Sequence, residues 1–236
     1  MPLMPCMPRP RTSEAGRGAR ASAAAMPTPA MLALAVLALA TITAAESPAE
    51  LFTLAAGCFW SVEMAFQRVP GVLSTRVGYA AGQAQSPLYE DVTTGRTGHT
   101  EAVEVTFDPA VVSYDELLQL FWAIHDPTDG RCQGHDCGSQ YRTAILYHSA
   151  AQKAAIGASV AAYDAARTDG KKVATEITAT PPAKFWVAEE YHQQYLELRG
   201  QDATKGSLAP IQCYGDRGPI KTMDKPAIKA ILQKDL

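Results

Sequence analysis

The chain has 236 residues, with 21 Lys and Arg against 24 Asp and Glu, so it is close to electrically neutral. Beyond its first fifty residues or so, the length suits one domain with a single hydrophobic core. No basic stripe interleaved with aromatic residues is present, and we therefore expect no nucleic-acid partner.

Residues 1–46 are predicted to be a targeting segment that is removed. Arginines dominate the charged residues of its first part, and an apolar run at 31–45 ends in small residues. This pattern fits a signal-peptide core better than a membrane span of about twenty residues. The alternatives are an uncleaved membrane anchor and a true start of the protein at Met26 or Met31. The segment indicates a secretory or organellar destination of plastid type rather than the plain cytoplasm.

The first elements after this segment place a cysteine at a junction. Residues 49–57 form an apolar run typical of a buried strand, and a helical spacing of apolar residues begins at Val62. Pro70 and Gly71 end this helix, and residues 72–80 read as a second strand. Cys58 therefore lies between a strand and a helix.

The next stretch pairs a long polar loop with a strand that carries an unusual acid. Residues 80–98 are rich in Gly, Ser, Thr and Gln, and long ordered loops are often functional. Residues 99–109 alternate as a half-buried strand does. Glu101 falls on the same face as Val103 and Val105.

Later elements alternate in the same way. Ser113 and Glu116 form a capping-box start for a helix. A glycine-punctuated loop then leads to a strand, an Ala-rich helix capped by Ser149, a further strand at 172–180, and a helix over 187–200 that Gly200 ends. Strands alternating with helices predict an α/β (α+β) sandwich, in which helices cover a central mixed sheet with a ferredoxin-like core.

Cys58 is the first candidate for chemistry. A thiol at the first turn of a helix lies near unpaired backbone N–H groups and the positive end of the helix dipole, which stabilise a thiolate. Position alone also allows a buried, inert cysteine. Phe59 and Trp60 follow directly, and they are able either to wall an apolar pocket beside the sulfur or simply to pack in the core.

Glu101 is the second candidate, because burial on an apolar strand face raises the pKa of a carboxyl group. A protonated Glu in such a place can act as a general acid. The alternative is an acid at a strand end that bends back into water.

Three further residues carry groups suited to holding a substrate. Tyr89 and Tyr141 can donate hydrogen bonds to a developing oxyanion, or can be rim residues. Asp136 can hold a substrate amide, although an Asp in such a loop is often a turn former.

Two other site chemistries remain open. Cys132, His135 and Cys137 are residue types that bind zinc, but the C-x4-C spacing and the lack of a second paired knuckle argue against zinc. A cysteine hydrolase would instead pair an activated thiol with His99, His135 or His192.

Six segments, in this order, resemble the A-type peptide-methionine sulfoxide reductases over about residues 51–200. They are GCFW at 57–60, GVLSTRVGYA at 71–80, TGHTEAVEVTFDP at 97–109, HDPT at 125–128, GHDCGSQYR at 134–142 and AEEYHQQYL at 188–196. Six ordered motifs are highly specific.

The resemblance implies a reductase of methionine-S-sulfoxide, free or in proteins, that repairs oxidised proteins. Cys58 would be the nucleophile that attacks the sulfoxide sulfur, and Glu101 would protonate the sulfoxide oxygen. Phe59 and Trp60 would line the pocket for the substrate methyl group. Methionine would leave and Cys58 would become a sulfenic acid.

The same resemblance implies that Tyr89 and Tyr141 bind the sulfoxide oxygen and that Asp136 helps hold the substrate backbone. It implies no metal and no organic cofactor. We expect the protein to be a monomer.

Recycling is where the chain departs from the family. A second thiol would form a disulfide with Cys58, and a thioredoxin-like donor would reduce that disulfide. Ser207 stands where a cysteine is often found, which leaves Cys213 as the resolving thiol and Cys137 as its rival. We predict a catalytic domain over 47–200 and a tail over 201–236 that carries Cys213. Ser61 replaces the glycine that usually follows GCFW, so we expect altered substrate preference rather than lost activity.

Overall fold

The computed structural model describes residues 48–181, 183–213, 220 and 222–234. The predicted targeting segment at 1–46 lies outside the described residues. Within the described part, no helix has both the length and the apolar character needed to cross a membrane.

Eight strands form in the described residues, and most begin and end close to the predicted limits. They are β1 (Glu50–Ala56), β2 (Val72–Ala80), β3 (Thr100–Phe107), β4 (Cys132–Gln133), β5 (Asp136–Cys137), β6 (Thr143–Tyr147), β7 (Glu176–Ala179) and β8 (Phe185–Val187).

Six of these strands form one mixed sheet in the order β7-β6-β1-β3-β2-β8. The pairing of β6 with β7 is parallel, and the other four pairings are antiparallel. The strands β4 and β5 pair separately as a small hairpin. The predicted fold class, a central mixed sheet covered by helices, is confirmed.

Six α-helices accompany the sheet in the described residues. They are α1 (Phe59–Gln67), α2 (Tyr89–Thr93), α3 (Tyr114–Ile124), α4 (Ala150–Ala165), α5 (Tyr195–Leu198) and α6 (Pro226–Leu232). Ser113 accepts a hydrogen bond from the Glu116 N–H while the Glu116 side chain accepts one from the Ser113 N–H, which is the predicted capping box. Ser149 caps α4 in the same manner through the Gln152 N–H.

The central strands are covered on both faces, which the alternating sequence of β3 did not predict. Seven of the eight residues of β3 are buried, including the polar Thr100 and Glu104. Helix α1 packs against β2 and β3 in a core of apolar side chains that includes Phe59 and Phe66. The alternating sequence of β3 predicted one buried face, and in the structure tertiary packing buries the other face as well.

The prediction of one helix over 187–200 is wrong. In its place the chain forms the end of β8, a single 3₁₀ turn at Glu190–His192 and the short helix α5. Gln194 has a left-handed backbone with φ of 48°, which breaks any continuous helix. The buried Gln193 side chain accepts a hydrogen bond from the Val77 N–H at 2.9 Å and donates to the Val77 and Ala188 carbonyls. These bonds to β2 outweigh the local helical preference.

The described residues after 200 pack against the same core as residues 48–200. Arg68, at the end of α1, is fully buried, and its Nε donates to the Asp202 carbonyl at 2.8 Å while its Nη1 donates to the Ala209 carbonyl. Ile211 and Ile228 are buried in the main hydrophobic cluster. The tail that carries Cys213 is thus held from within the fold.

Replacing Arg68 by Met should lower the free energy of unfolding by roughly 2–4 kcal/mol, because the buried side chain at position 68 loses both of its hydrogen bonds to carbonyl groups of the tail. Urea unfolding followed by circular dichroism measures the change. Arg96→Met is the matched control, since Arg96 is exposed, and it should change the free energy of unfolding by less than about 0.5 kcal/mol. Equal effects of the two substitutions would show that Arg68 does not anchor the tail.

Candidate active site

All seven residues singled out for catalysis or substrate binding in the sequence line one cavity of about 120 Å³. They are Cys58, Phe59, Trp60, Tyr89, Glu101, Asp136 and Tyr141. They come from the start of α1, the start of α2, β3, the β4–β5 hairpin and the 3₁₀ turn that follows it. A cavity of this size fits a small group such as a methyl sulfoxide rather than a whole side chain with its backbone.

Cavity size alone does not identify this cavity as the candidate active site. A larger hollow of about 550 Å³ lies between the start of β1 and the start of α4 and includes Tyr114 and His148 in its wall. Its lining contains no thiol and no buried carboxyl group. The smaller cavity is the candidate site, because it brings a thiol and a buried carboxyl group together.

Cys58 is the N-cap residue of α1 and only 6% of its surface is exposed. Gly57, just before it, has φ of 90°, a backbone conformation that glycine adopts readily and that turns the chain from β1 into the helix. The predicted strand-to-helix junction is confirmed, and it aims the thiol into the cavity.

The expected lowering of the Cys58 pKa is not what the resting structure shows. A hydrogen bond with the Cys213 side chain, burial and the nearby Glu101 carboxyl together raise the pKa of the Cys58 thiol well above its usual range. The Trp60 N–H at the helix start lowers the pKa, as position predicts, but it is outweighed. Cys58 is therefore a protonated thiol while Cys213 lies against it.

Glu101 is 3% exposed and lies at the start of β3. Its Oε2 accepts a hydrogen bond from the Phe59 N–H at 3.0 Å, which joins the strand to the first turn of α1. Burial raises the pKa of this carboxyl to about 8, with smaller contributions from Cys213 and Asp136, while the Phe59 N–H opposes the shift. Of the two alternatives for Glu101, the structure has the buried one, and the carboxyl carries a proton at neutral pH.

Tyr89 and Tyr141 bring two phenol groups to the cavity from different loops. Burial raises the pKa of both hydroxyls, and the Glu101 carboxyl adds to the shift in each case. Neutral phenols are hydrogen-bond donors, so both remain able to bind an oxygen atom that gains negative charge.

Trp60 is fixed by aromatic stacking that sequence reasoning missed. Its ring lies on the Tyr195 ring with centroids 3.9 Å apart and planes 12° from parallel, and the Arg199 guanidinium carbon lies 5.0 Å from the centroid of the Tyr195 ring. Phe59 contacts the His192 ring at 5.2 Å. The apolar wall is thus rigid before any substrate arrives.

A second missed residue is Glu189, just after β8. Its Oε1 accepts a hydrogen bond from the Tyr89 N–H at 2.8 Å, and its Oε2 accepts one from the Tyr79 hydroxyl at 2.7 Å. This carboxylate therefore ties the start of α2, and with it Tyr89, to strand β2. The acidic pair at 189–190 was visible in the sequence, but the mistaken helix assignment hid which of the two points inward.

Glu63, on α1, is a buried acid that sequence reasoning also missed. Its carboxylate accepts hydrogen bonds from the Thr75 hydroxyl at 3.0 Å and from the Gln194 backbone N–H at 2.9 Å. Burial raises the pKa of this group to about 7. It holds the segment that carries His192 and Tyr195 against α1, so its contribution is to the wall of the cavity.

The residues of the zinc hypothesis have a different arrangement. Cys132 and Cys137 face each other across the β4–β5 hairpin and form a disulfide. A disulfide offers no thiolate to a metal. Within the described ranges, no group of three or more His, Cys, Asp or Glu side chains is placed to bind a metal ion.

The histidines of the hydrolase hypothesis, His99, His135 and His192, make no hydrogen bond with the Cys58 thiol in the described residues. His192 packs among aromatic rings, and neither of its ring nitrogens has a hydrogen-bond partner among the described residues. Burial lowers the pKa of His192 and keeps it neutral. His99 lies under Gly82, where an added Cβ would come within 2.2 Å of its ring.

A buried thiol beside a second thiol and a protonated carboxyl group is typical of a thiol-dependent oxidoreductase. The family model described as peptide methionine sulfoxide reductase matches residues 50–212. The chain therefore belongs to the peptide methionine sulfoxide reductase family.

Individual relatives agree with this assignment. The chain is 48% identical to peptide methionine sulfoxide reductase A2-1 of Oryza sativa subsp. japonica over 73% of its own length and 90% of that protein. It is 52% identical to peptide methionine sulfoxide reductase MsrA of Geobacter sulfurreducens, over 64% of its own length and 92% of that protein. The crystal structure of Mxr1 from Saccharomyces cerevisiae in reduced form is 34% identical, with a TM-score of 0.59 over 65% of this chain and 87% of that one.

Removing the Cys213 side chain should lower the pKa of Cys58, because the hydrogen bond between the two thiols is the largest cause of its elevation. We expect Cys213→Ala to shift the pH dependence of Cys58 alkylation by iodoacetamide to lower pH, measured by peptide mass spectrometry. Cys213→Ser, which keeps a hydrogen-bonding group, is the matched control and should shift it less. An unchanged profile in Cys213→Ala would show that Cys213 does not hold the Cys58 proton.

Proposed function

We propose that the protein reduces methionine-S-sulfoxide, free or within oxidised proteins, to methionine, with Cys58 as the nucleophile. The observation that carries this proposal is the single cavity in which a buried thiol, a protonated carboxyl group, two neutral phenols and an aromatic wall meet. Membership of the reductase family supports the same chemistry. The reaction repairs oxidised methionine.

Substrate positioning follows from the lining of the cavity. The methyl group of the sulfoxide packs against Phe59 and Trp60, while the oxygen accepts hydrogen bonds from Tyr89 and Tyr141. Asp136 accepts a hydrogen bond from a backbone N–H of the substrate. The sulfur is then directed toward Cys58.

The chemical step transfers two electrons from sulfur to sulfur. Entry of the substrate displaces Cys213 from Cys58, which removes the main cause of the raised pKa and lets the thiolate form. The thiolate attacks the sulfoxide sulfur as Glu101 donates its proton to the oxygen. The S–O bond then breaks, methionine leaves, and the hydroxyl group ends on Cys58 as a sulfenic acid.

Recycling uses Cys213. Its thiolate attacks the Cys58 sulfenic acid, the oxygen leaves as water, and a Cys58–Cys213 disulfide forms. Cys213 is partly exposed whereas Cys58 is buried, so a thioredoxin-like dithiol can reach Cys213 and reduce the pair by exchange. Cys137 is a weaker candidate for this step, because its sulfur is already bonded to Cys132.

The nucleophile and the resolving thiol are tested together by mass spectrometry. Fully reduced protein is mixed with one equivalent of methionine-S-sulfoxide and no recycling reductant, and peptides are mapped as methionine forms. We expect a Cys58–Cys213 disulfide in the wild type, and no methionine from Cys58→Ser. A Cys58–Cys137 bond would move recycling to the hairpin, and activity that survives in Cys58→Ser would refute the proposed function.

The acid function of Glu101 predicts a pH profile. Since the carboxyl pKa is raised to about 8, kcat/KM should fall as the pH rises through this value and the proton is lost. Glu101→Gln should lower kcat/KM by about 10²–10⁴-fold, because the amide cannot donate a proton to the leaving oxygen.

Glu90→Gln is the matched control for this test, since Glu90 is exposed on α2. It should leave both kcat/KM and its pH profile within about twofold of the wild type. A wild-type profile that stays level to pH 9, or a Glu101→Gln variant with normal kcat/KM, would rule out Glu101 as the acid.

A further inference from the structure

We propose that Cys132 and Cys137 form a reversible dithiol–disulfide pair that sets the affinity of the active site for its substrate. The proposal rests on the proposed function, because it acts through the substrate contact given there to Asp136. The pair is separate from Cys58 and Cys213 and is a redox modification site in its own right.

The disulfide closes the hairpin on which Asp136 is presented. Strands β4 and β5 have two residues each, with Cys132 opposite Cys137 and Gln133 opposite Asp136. Gly134 and His135 form the two-residue turn between them, and Gly134 has φ of 64°. Asp136 is thus the residue next to the disulfide, and it lines the cavity that contains Cys58.

The two arms of this hairpin are held very differently. The first arm is anchored by the buried Gln133, whose Oε1 accepts from the Asp126 N–H and whose Nε2 donates to the Asp126 carbonyl, both at 2.8 Å. The Cys132 N–H also donates to the Asp129 carboxylate at 2.9 Å. The first arm therefore stays in place whether or not the disulfide is formed.

The second arm is held at its far end, where the Ser139 hydroxyl donates to the Gly95 carbonyl at 3.0 Å, and by two links to the first arm. A hydrogen bond from the Gly138 N–H to the Arg131 carbonyl, at 3.0 Å, and the disulfide itself join the two arms near their open end. A two-residue pairing has little stability of its own in water. Cleaving the disulfide should therefore let Asp136 move while the rest of the cavity keeps its geometry.

The pair is accessible to redox partners. Cys137 is exposed and Cys132 is partly exposed, unlike Cys58. A thioredoxin-like dithiol can reduce the pair by exchange, giving two thiols on this protein and one disulfide on the donor, with two electrons and two protons transferred. A low-molecular-weight disulfide such as glutathione disulfide reverses the reaction and releases two glutathione thiols.

The consequence is a link between redox state and substrate binding. With the disulfide closed, Asp136 is held where it can accept a hydrogen bond from the substrate backbone. With the disulfide open, that charged hydrogen bond is lost or weakened, and we expect the dissociation constant to rise about tenfold. The nucleophile, the acid and the aromatic wall lie on other elements and keep their positions.

The test measures binding in a Cys58→Ser, Cys213→Ser background, where the state of the Cys132–Cys137 pair can be changed without turnover and without modifying a thiol at the cavity. Protein treated with glutathione disulfide, and protein treated with dithiothreitol and then alkylated with iodoacetamide, are titrated with methionine-S-sulfoxide by calorimetry. Peptide mapping reports the state of each cysteine. We expect the closed form to bind about ten times more tightly than the open form.

Two matched variants in the same background control this comparison. Adding Cys132→Ser and Cys137→Ser should give the weaker affinity under both treatments, while adding Cys6→Ser should leave the difference between treatments intact. Far-UV circular dichroism checks that each variant is folded.

The outcomes separate this proposal from the proposed function. Equal dissociation constants for the closed and open forms, with clear binding in both, would overturn the proposal and leave the reductase function standing. A pair that stays joined in dithiothreitol under native conditions would also overturn it. Absence of binding in both forms would refute substrate recognition at this site, and with it both proposals.

Discussion

The hydrogen bond from the Phe59 N–H to the Glu101 carboxyl is the contact on which the arrangement of the site depends. It joins the central strand β3 to the first turn of α1 and so fixes the acid beside the thiol that precedes Phe59. The backbone donor stabilises a charged carboxylate, yet burial dominates and holds the proton on Glu101 near neutral pH. This contact thereby sets the position of the Glu101 carboxyl group, while burial sets its protonation state.

Around this contact the fold supplies support from distant parts of the chain. Glu189 fixes the start of α2 from the end of β8, and Glu63 fixes the segment between His192 and Tyr195 from α1. Arg68 holds the tail from the other end of α1 and so brings Cys213 within reach of Cys58. Glu189, Glu63 and Arg68 are thus buried or half-buried residues that position the groups of the candidate site.

The two cysteine pairs lie in different parts of the fold and have different proposed redox roles. Cys58 and Cys213 lie together at the start of α1, with one thiol buried and the other partly exposed, which suits a reaction inside the cavity followed by reduction from outside. Cys132 and Cys137 lie on the hairpin at the rim, where they contact no reacting atom but hold a residue that lines the cavity. In the two proposals both pairs exchange with dithiols, yet only the first carries electrons to the sulfoxide.

Local patterns in the sequence were sufficient for the strands β1, β2 and β3, the capped helices α3 and α4, and the position of Cys58, because periodicity, caps and glycine turns act over a few residues. They left the burial of Glu101 open. They were insufficient for residues 187–200, where the Gln193 side chain bonds to β2, and for the Cys58 pKa, which a thiol 155 positions further along the chain reverses in direction. The sequence by itself determined the chemical groups and these local elements. Only the tertiary structure decided which distant partners surround each group, because burial, charge and hydrogen bonding depend on contacts in space rather than on neighbours in the chain.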